Sequence, residues 1–261
     1  MMRAFAIAAL FASAPAIAAP TVGPGYGEGM VLQRGEPIII AGTAAPNGTV
    51  TGTLGGEQAS TTADDTGNFA LTFPERDASE DALSLTLRDG TGTTTLGGLL
   101  VGDVYLCSGQ SNMELSVNRA LDTYNQLRLA PDDGIRLLKV PQKTAPVPQG
   151  QFAETIGWQR ATSESVAEFS AACFYMGKQL RADRKGVPVG LIHSNWGGSA
   201  ARAWLTPESV RVLYGDEALA QLKLYDRDPL AAAQAFVPQW YEWWRGNDDG
   251  REPWTDSSML D

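Results

Sequence analysis

The sequence predicts a mixed protein, a small all-β unit followed by an α/β layer built on parallel strands. Three observations predict it. Short runs with period-2 alternation, separated by turn residues, fill residues 21 to about 98. Beyond Gly102 the pattern changes to short continuous apolar runs that alternate with helical ones, in the order β-α-β-α-β. The 28 glycines and 15 prolines are spread along the chain, which favours many turns over a helical bundle.

The chain has 261 residues, enough for one large domain or two small ones. Residues 1–19 read as a secretory signal peptide. Arg3 precedes the apolar run Ala4 to Ala12, and Pro15 leads into Ala16-Ile17-Ala18, an A-x-A cleavage pattern. The run is short for a membrane anchor. The expected product is exported, periplasmic or extracellular, without a membrane span.

Residues 20–98 form the predicted β-sandwich. Val31-Leu32, Pro37 to Gly42, Thr49 to Leu54, Phe69 to Phe73 and Leu83 to Leu87 are strand-like. Pro46-Asn47-Gly48, Asp64 to Asn68 and Asp89-Gly90 supply the turns. Residues 99–261 form the second expected domain. Val104 to Cys107 is a buried parallel strand. A helix follows from about Asn112 to Arg128, then a strand at Ile135 to Val140. Val166, Phe169, Cys173, Met176 and Leu180 recur at helical spacing, predicting an amphipathic helix over 165–183. Val187 to Ile192 is the third apolar strand.

The tail from about 210 carries Phe236, Trp240, Tyr241, Trp243, Trp244 and Trp254. Such a cluster suits stacking on sugar rings. Packing against the rest of the domain, or against further chain, is the plainer reading, because aromatics are mostly core.

Composition excludes several classes. The net charge is −10, with no basic patch for nucleic acid or an anionic membrane surface. One histidine and two distant cysteines give no zinc constellation, and no cofactor or metal is expected. Export permits a disulfide between Cys107 and Cys173, but both lie in apolar runs and read first as small buried hydrophobes.

In open parallel sheets ligands bind beyond the carboxyl ends of the strands. Two such loops stand out. The first, Ser108-Gly109-Gln110-Ser111-Asn112-Met113-Glu114, turns from strand into helix. Ser111 at the helix start has an exposed hydroxyl beside backbone N–H groups suited to an oxyanion. Gly109 allows the turn. Ser111-x-x-Glu114 is equally a capping box, with the serine as a plain N-cap. Ser108 is a competing nucleophile, nearer the strand and expected to be packed. The second loop, His193 to Ser199, holds Gly197-Gly198, either a source of close backbone N–H donors or an ordinary turn. His193 would reach Ser111 if the two strands are neighbours, although a lone histidine is more often packing.

The stretch Gly102 to Glu114, with Cys107-Ser108-Gly109-Gln110-Ser111-Asn112-Met113 at its centre, resembles the signature of sialate O-acetylesterases and related carbohydrate acetylesterases of the SGNH hydrolase group. Val187 to Ser199 and Ala203-Trp204 resemble its second hallmark. Met30 to Arg34 and Thr62-Ala63-Asp64 look like the β-sandwich that precedes the catalytic domain. The likeness runs from about residue 25 to 207.

That resemblance implies a flavodoxin-like α/β/α SGNH hydrolase domain that removes acetyl groups from sugars or glycans without a metal. It implies Ser111 as nucleophile, the N–H of Ser111 and of Gly197 or Gly198 as oxyanion donors, and Gln110 and Asn112 as residues that shape the turn. Arg202 stands where the family tends to carry an acidic residue, and His193 where small or polar residues are usual. The family's Gln-Gly-Glu and Asp-x-x-His segments have no counterpart after residue 207. The domain is therefore expected to be truncated at its C-terminal side, with little esterase activity in this chain alone. The alternatives are a non-catalytic carbohydrate-binding remnant and an esterase using His193 as base.

Overall fold

A computed structural model describes residues 19–152 and 154–247. The signal-peptide expectation lies outside them, apart from Ala19, as does Trp254. The described chain divides into two units, residues 19–140 with 155–195, and residues 141–154 with 196–247.

The first unit carries the strands β1 (Thr21–Val22), β2 (Val31–Gln33), β3 (Ile38–Thr43), β4 (Thr49–Leu54), β5 (Glu57–Thr62), β6 (Asn68–Phe73), β7 (Ser79–Arg88) and β8 (Thr93–Gly109). After them come β9 (Asp132–Lys139), β10 (Gln159–Ala161) and β11 (Val189–Asn195). Strands β1, β3 and β6 form a three-stranded antiparallel sheet. Along β6 the burial alternates with the sequence: Phe69, Leu71 and Phe73 point inward. They meet Ile38, Ile40, Val50, Leu54, Leu85, Leu87 and Leu99 in one core. The missed strand β5 is polar but for Ala59 and pairs with β4.

Strand β8 runs unbroken across the boundary expected near residue 98. Its first half pairs antiparallel with β7, and its second half, Asp103 to Gly109, pairs parallel with β11. The larger sheet is ordered β10-β9-β11-β8-β7-β4-β5, with β2 also on β8. Gly102 sits where these pairings change over. A Cβ there would lie 2.0 Å from the Pro188 carbonyl oxygen, so no larger residue fits. Asp103, next in line, holds Arg34 at 2.7 Å and Arg184 at 2.7 Å. Burial pushes its carboxyl up, but the bonds from Arg34 and Arg184 outweigh this and hold it below the usual range.

The parallel layer departs from expectation in strand order. A flavodoxin-like layer has its first strand between the second and third. Here β11, the third, lies between β9 and β8. On the other side of β8, strand β2 pairs with Leu100 to Gly102, and Gln33 Oε1 accepts the Val104 N–H at 2.9 Å.

The helices of this unit are α1 (Ser111–Glu114), α2 (Thr123–Arg128), α3 (Ser163–Ala167) and α4 (Ala171–Asp183). The single helix expected over 112–128 is broken into α1, a 3-10 turn at Val117–Arg119, and α2. Tertiary hydrogen bonds compete with the helix at the break. Ala171 N–H donates to Leu115 O at 2.8 Å, and Val117 N–H to Phe169 O at 3.0 Å. Asp122 then takes a left-handed conformation, φ 59°. The helix expected over 165–183 is likewise two, interrupted before Ser170, whose hydroxyl caps α4 by accepting Cys173 N–H at 3.2 Å. Its buried face is Ala171, Cys173, Phe174 and Gly177, while Met176 is exposed. Gly177 packs directly on Leu191, where a Cβ would lie 2.7 Å from Cδ1.

Cys107 and Cys173 are not free. They form a disulfide, Cα–Cα 5.9 Å, that ties β8 to α4. Apolar surroundings and pairing are compatible, because the bond lies between the sheet and the helix packed on it. The disulfide marks the face of β8 that α4 covers. Leu106 points to the other face and is 67% exposed.

The second unit holds a 3-10 turn at Ala201–Trp204 and the helices α5 (Pro207–Arg227), which kinks at Gly215, and α6 (Pro229–Asn247). On α6 the rings of Trp240, Tyr241, Trp243 and Trp244 touch one another, with centroids 5.8–6.1 Å apart. Trp243 and Phe236 are exposed.

Candidate active site

The site is built where β8 ends. Gly109 has φ +148°, and a Cβ there would lie 3.3 Å from the Met113 Cβ, so a glycine is required for the chain to turn into α1. Gln110 is the N-cap of α1, with extended backbone and no side-chain cap bond. Its carbonyl accepts Met113 N–H at 2.9 Å and Glu114 N–H at 3.0 Å. Ser111 is therefore the first helical residue rather than the cap, which removes the capping-box alternative. Its hydroxyl is exposed and donates to Gln110 Oε1 at 2.9 Å. The Ser111 and Asn112 N–H groups precede the first of these bonds and have no intrahelical acceptor. Asn112 is also exposed. Ser108, expected to be packed, is exposed as well, but it lies on the strand, opposite Ser194.

Strand β11 leaves the sheet at the same edge as β8. The two strands are parallel, with Asn195 opposite Gly109 and His193 opposite Cys107. The two loops singled out in the sequence thus begin side by side at the carboxyl end of the sheet.

His193 is near this edge, but it does not face solvent. It is 2% exposed, its ring packs edge-on against Phe169 at 5.1 Å, and its Nδ1 accepts the Ser170 N–H at 3.2 Å. Burial lowers its pKa, Lys139 lowers it further, and a hydrogen bond with Asn195 and the charge of Glu114 offset part of this. Sequence spacing brought His193 to the right edge but not to the right face. It is a packed, neutral imidazole and not a base for Ser111.

Residues 196–204 belong to the second unit. Trp196-Gly197-Gly198-Ser199 forms a turn closed by Ser199 N–H to Trp196 O at 3.3 Å. Gly198 has φ +76°, as a type II turn requires at its third residue. Ser199 Oγ donates to Trp196 O at 2.6 Å and accepts Trp204 Nε1 at 2.8 Å, which fixes the turn against the following 3-10 helix. Gly198 and Arg202 are exposed.

Among the described residues, no group of three or more His, Cys, Asp or Glu side chains is arranged to hold a metal ion. Sequence reasoning missed Ser170 and the Cys107–Cys173 bond, which support the turn from below. The signal for the second was available: two cysteines in a chain expected to be exported. Ser170 gave no sequence signal, since its role depends on contacts with α1 and His193.

No family model matches the chain. Among curated proteins, the sialate O-acetylesterases of Pongo abelii and Homo sapiens are each 34% identical over 120 residues, covering 43% of this chain and 23% of theirs. That of Mus musculus is 28% identical over 120 residues, with 43% and 22% covered. Among solved structures, a carbohydrate acetylesterase from Xanthomonas citri is 34% identical with a TM-score of 0.71, covering 77% of this chain and 45% of that one. The chain thus spans less than a quarter of these curated relatives and under half of that structure.

Proposed function

Since the chain belongs to a sialate O-acetylesterase-like family, we propose that it is the nucleophile-bearing part of a serine esterase that removes O-acetyl groups from sugars or glycans. Ser111 is the nucleophile. The observation that carries this reading is the turn after β8: an exposed hydroxyl on the first residue of a helix, at the carboxyl edge of a parallel sheet. The Ser111 N–H is one oxyanion donor. Gly197 or Gly198 supplies a second; this role rests on the resemblance, with both glycines two and three residues along the chain from Asn195. Gln110 orients the Ser111 hydroxyl through the 2.9 Å bond, and Asn112 lines the turn.

A serine hydroxyl needs a base. The chain has one histidine, and its ring is buried with Nδ1 occupied. The base is therefore proposed to come from the part of the relatives that this chain does not span, and the chain alone to turn esters over slowly. The SGNH hydrolase type, the domain division at 20–98 and 99–261, and an exported location are part of the same proposal. The Cys107–Cys173 bond supports the last, since disulfides persist in oxidising compartments.

The test is acetate release from O-acetylated sialic acid and from acetylated xylan, by the chain and by Ser111→Ala. Release that depends on Ser111 supports the esterase and ranks the sugars. Retained glycan binding with no Ser111-dependent release would favour the carbohydrate-binding reading, to which the engaged state of His193 lends weight.

A further inference from the structure

The Ser111 turn does not rest on β8 alone. Directly after α1 the chain lies antiparallel against the start of α4. Ser116 bridges to Ser170, Ala171 N–H donates to Leu115 O, and Val117 N–H donates to Phe169 O. The Ser170 hydroxyl lies 3.4 Å from the Met113 sulfur, the residue that also packs against Gly109. The placement of Ser111 is therefore set by where residues 169–171 are held.

Two groups hold them. One is the Cys107–Cys173 disulfide, from the strand four residues before Ser111. The other is His193. Its Nδ1 takes the Ser170 N–H, and Phe169 lies edge-on against its ring. A backbone N–H can only be accepted by a ring nitrogen without a proton. That fixes the ring as neutral, with its proton on Nε2.

We infer that His193 is a positioning residue for Ser111, acting through Ser170: its Nδ1 anchors the segment against which α1 and the Ser111 turn are docked. The inference rests on Ser111 being the nucleophile, and it deepens that reading. It also explains a buried polar side chain that the esterase reading leaves unused. A second proton would convert Nδ1 from acceptor to donor, facing another N–H. The charged and titratable groups around the ring are Lys139 from β9, which disfavours that proton, and Glu114 from α1, which favours it. Cys107 opposite in β8 is disulfide-bonded and does not titrate. Burial is the dominant influence, so the ring keeps its neutral form to lower pH than an ordinary histidine, and the anchor fails once it takes a proton.

The experiment uses the whole chain with its disulfide intact. Imidazole nitrogen NMR reports the His193 tautomer, and amide hydrogen exchange reports residues 110–117 and 168–173. His193→Asn retains an acceptor close to the Nδ1 position, whereas His193→Phe keeps a ring and loses the acceptor. The expected results are an unprotonated Nδ1 at neutral pH and about tenfold faster exchange over both segments in His193→Phe. The Asn variant should stay within about twofold of the parent. After correction for intrinsic rates, the parent should show the same loosening as pH falls through the His193 transition, and the Asn variant should not. A protonated Nδ1 in the parent, equal exchange in all three chains, or an Asn variant as loose as the Phe variant would each overturn the inference. The NMR and pH arms need no variant to fold. Ester turnover is followed in parallel. Turnover in added imidazole that is indifferent to Ser111→Ala, with the exchange pattern as expected, would sink the nucleophile reading while leaving the anchor supported.

Discussion

Breaking the Cys107–Cys173 bond should cost this protein a large part of its stability. The cysteines are 66 residues apart, so the bond closes a long loop in the unfolded chain. In the chain-entropy description, closing a loop of that size removes about 15 cal/mol/K of unfolded-state entropy, or about 4 kcal/mol at 25 °C. Both sulfurs are buried between sheet and helix, so reduction leaves two thiols in contact and opens little void. The measured effect should therefore be about 2–4 kcal/mol, near or somewhat below the entropic figure. For a protein of this size that is a fall in Tm of roughly 10 °C. Urea unfolding with and without a phosphine reductant, alongside the Cys107→Ala, Cys173→Ala double variant, measures it. The intact chain should yield no free thiol when unfolded, and two after reduction. Titration of two thiols without reductant, or an unmoved midpoint on reduction, would refute the reasoning.

Other substitutions probe the frame around the site. Asp103→Asn removes the acceptor shared by Arg34 and Arg184, which are 35% and 47% exposed at their side chains and can rehydrate. The loss should be about 2 kcal/mol at neutral pH, below that of a fully buried pair. Because the folded-state pKa of Asp103 is depressed, its contribution is present above the ordinary carboxylate range and fades as pH falls through the lowered value. Parent and variant urea midpoints should therefore converge in strong acid. His193 behaves differently: stability should decline as pH drops below about 6.5, by up to about 1.4 kcal/mol per pH unit, until the folded-state pKa is reached. The decline should be absent in His193→Asn. Gly109→Ala forces a side chain into φ +148° against Met113 and should cost about 1–3 kcal/mol in a thermal melt. Leu106→Lys, on the bare face of β8, should suppress self-association in light scattering without lowering the midpoint by more than about 0.5 kcal/mol.

What the sequence made legible was local. Alternation along Phe69–Phe73 and Leu83–Leu87 marked strands with one buried face, and the apolar runs at 104–107 and 187–192 marked two parallel strands. The Gly-Gln-Ser-Asn-Met turn was found by the same route, since a strand, a glycine and a helix start are contiguous signals. What escaped was decided by partners far along the chain. Helical spacing runs smoothly through Leu115 and Ser170, yet the helices break there because their backbones bond to one another. The order of the parallel strands escaped because it is set by pairing between strands far apart along the chain. His193 was identifiable as a neighbour of the turn, but whether it faced the cleft or the core was set by Phe169 and Ser170. Met176 fitted the apolar stripe by spacing, but the helix start at Ser170 rotates the stripe onto Phe174 and Gly177.

The claim that matters most is that Ser111 attacks an acetyl ester when a base is at hand. Imidazole added to the chain can serve as that base, with acetyl transfer followed by peptide mapping and by turnover of an unactivated acetyl ester. The account predicts an acetyl group on the peptide carrying Ser111, and turnover about tenfold or more above that of Ser111→Ala in the same buffer. Equal turnover by the two chains, or acetylation that falls on another residue, would contradict it.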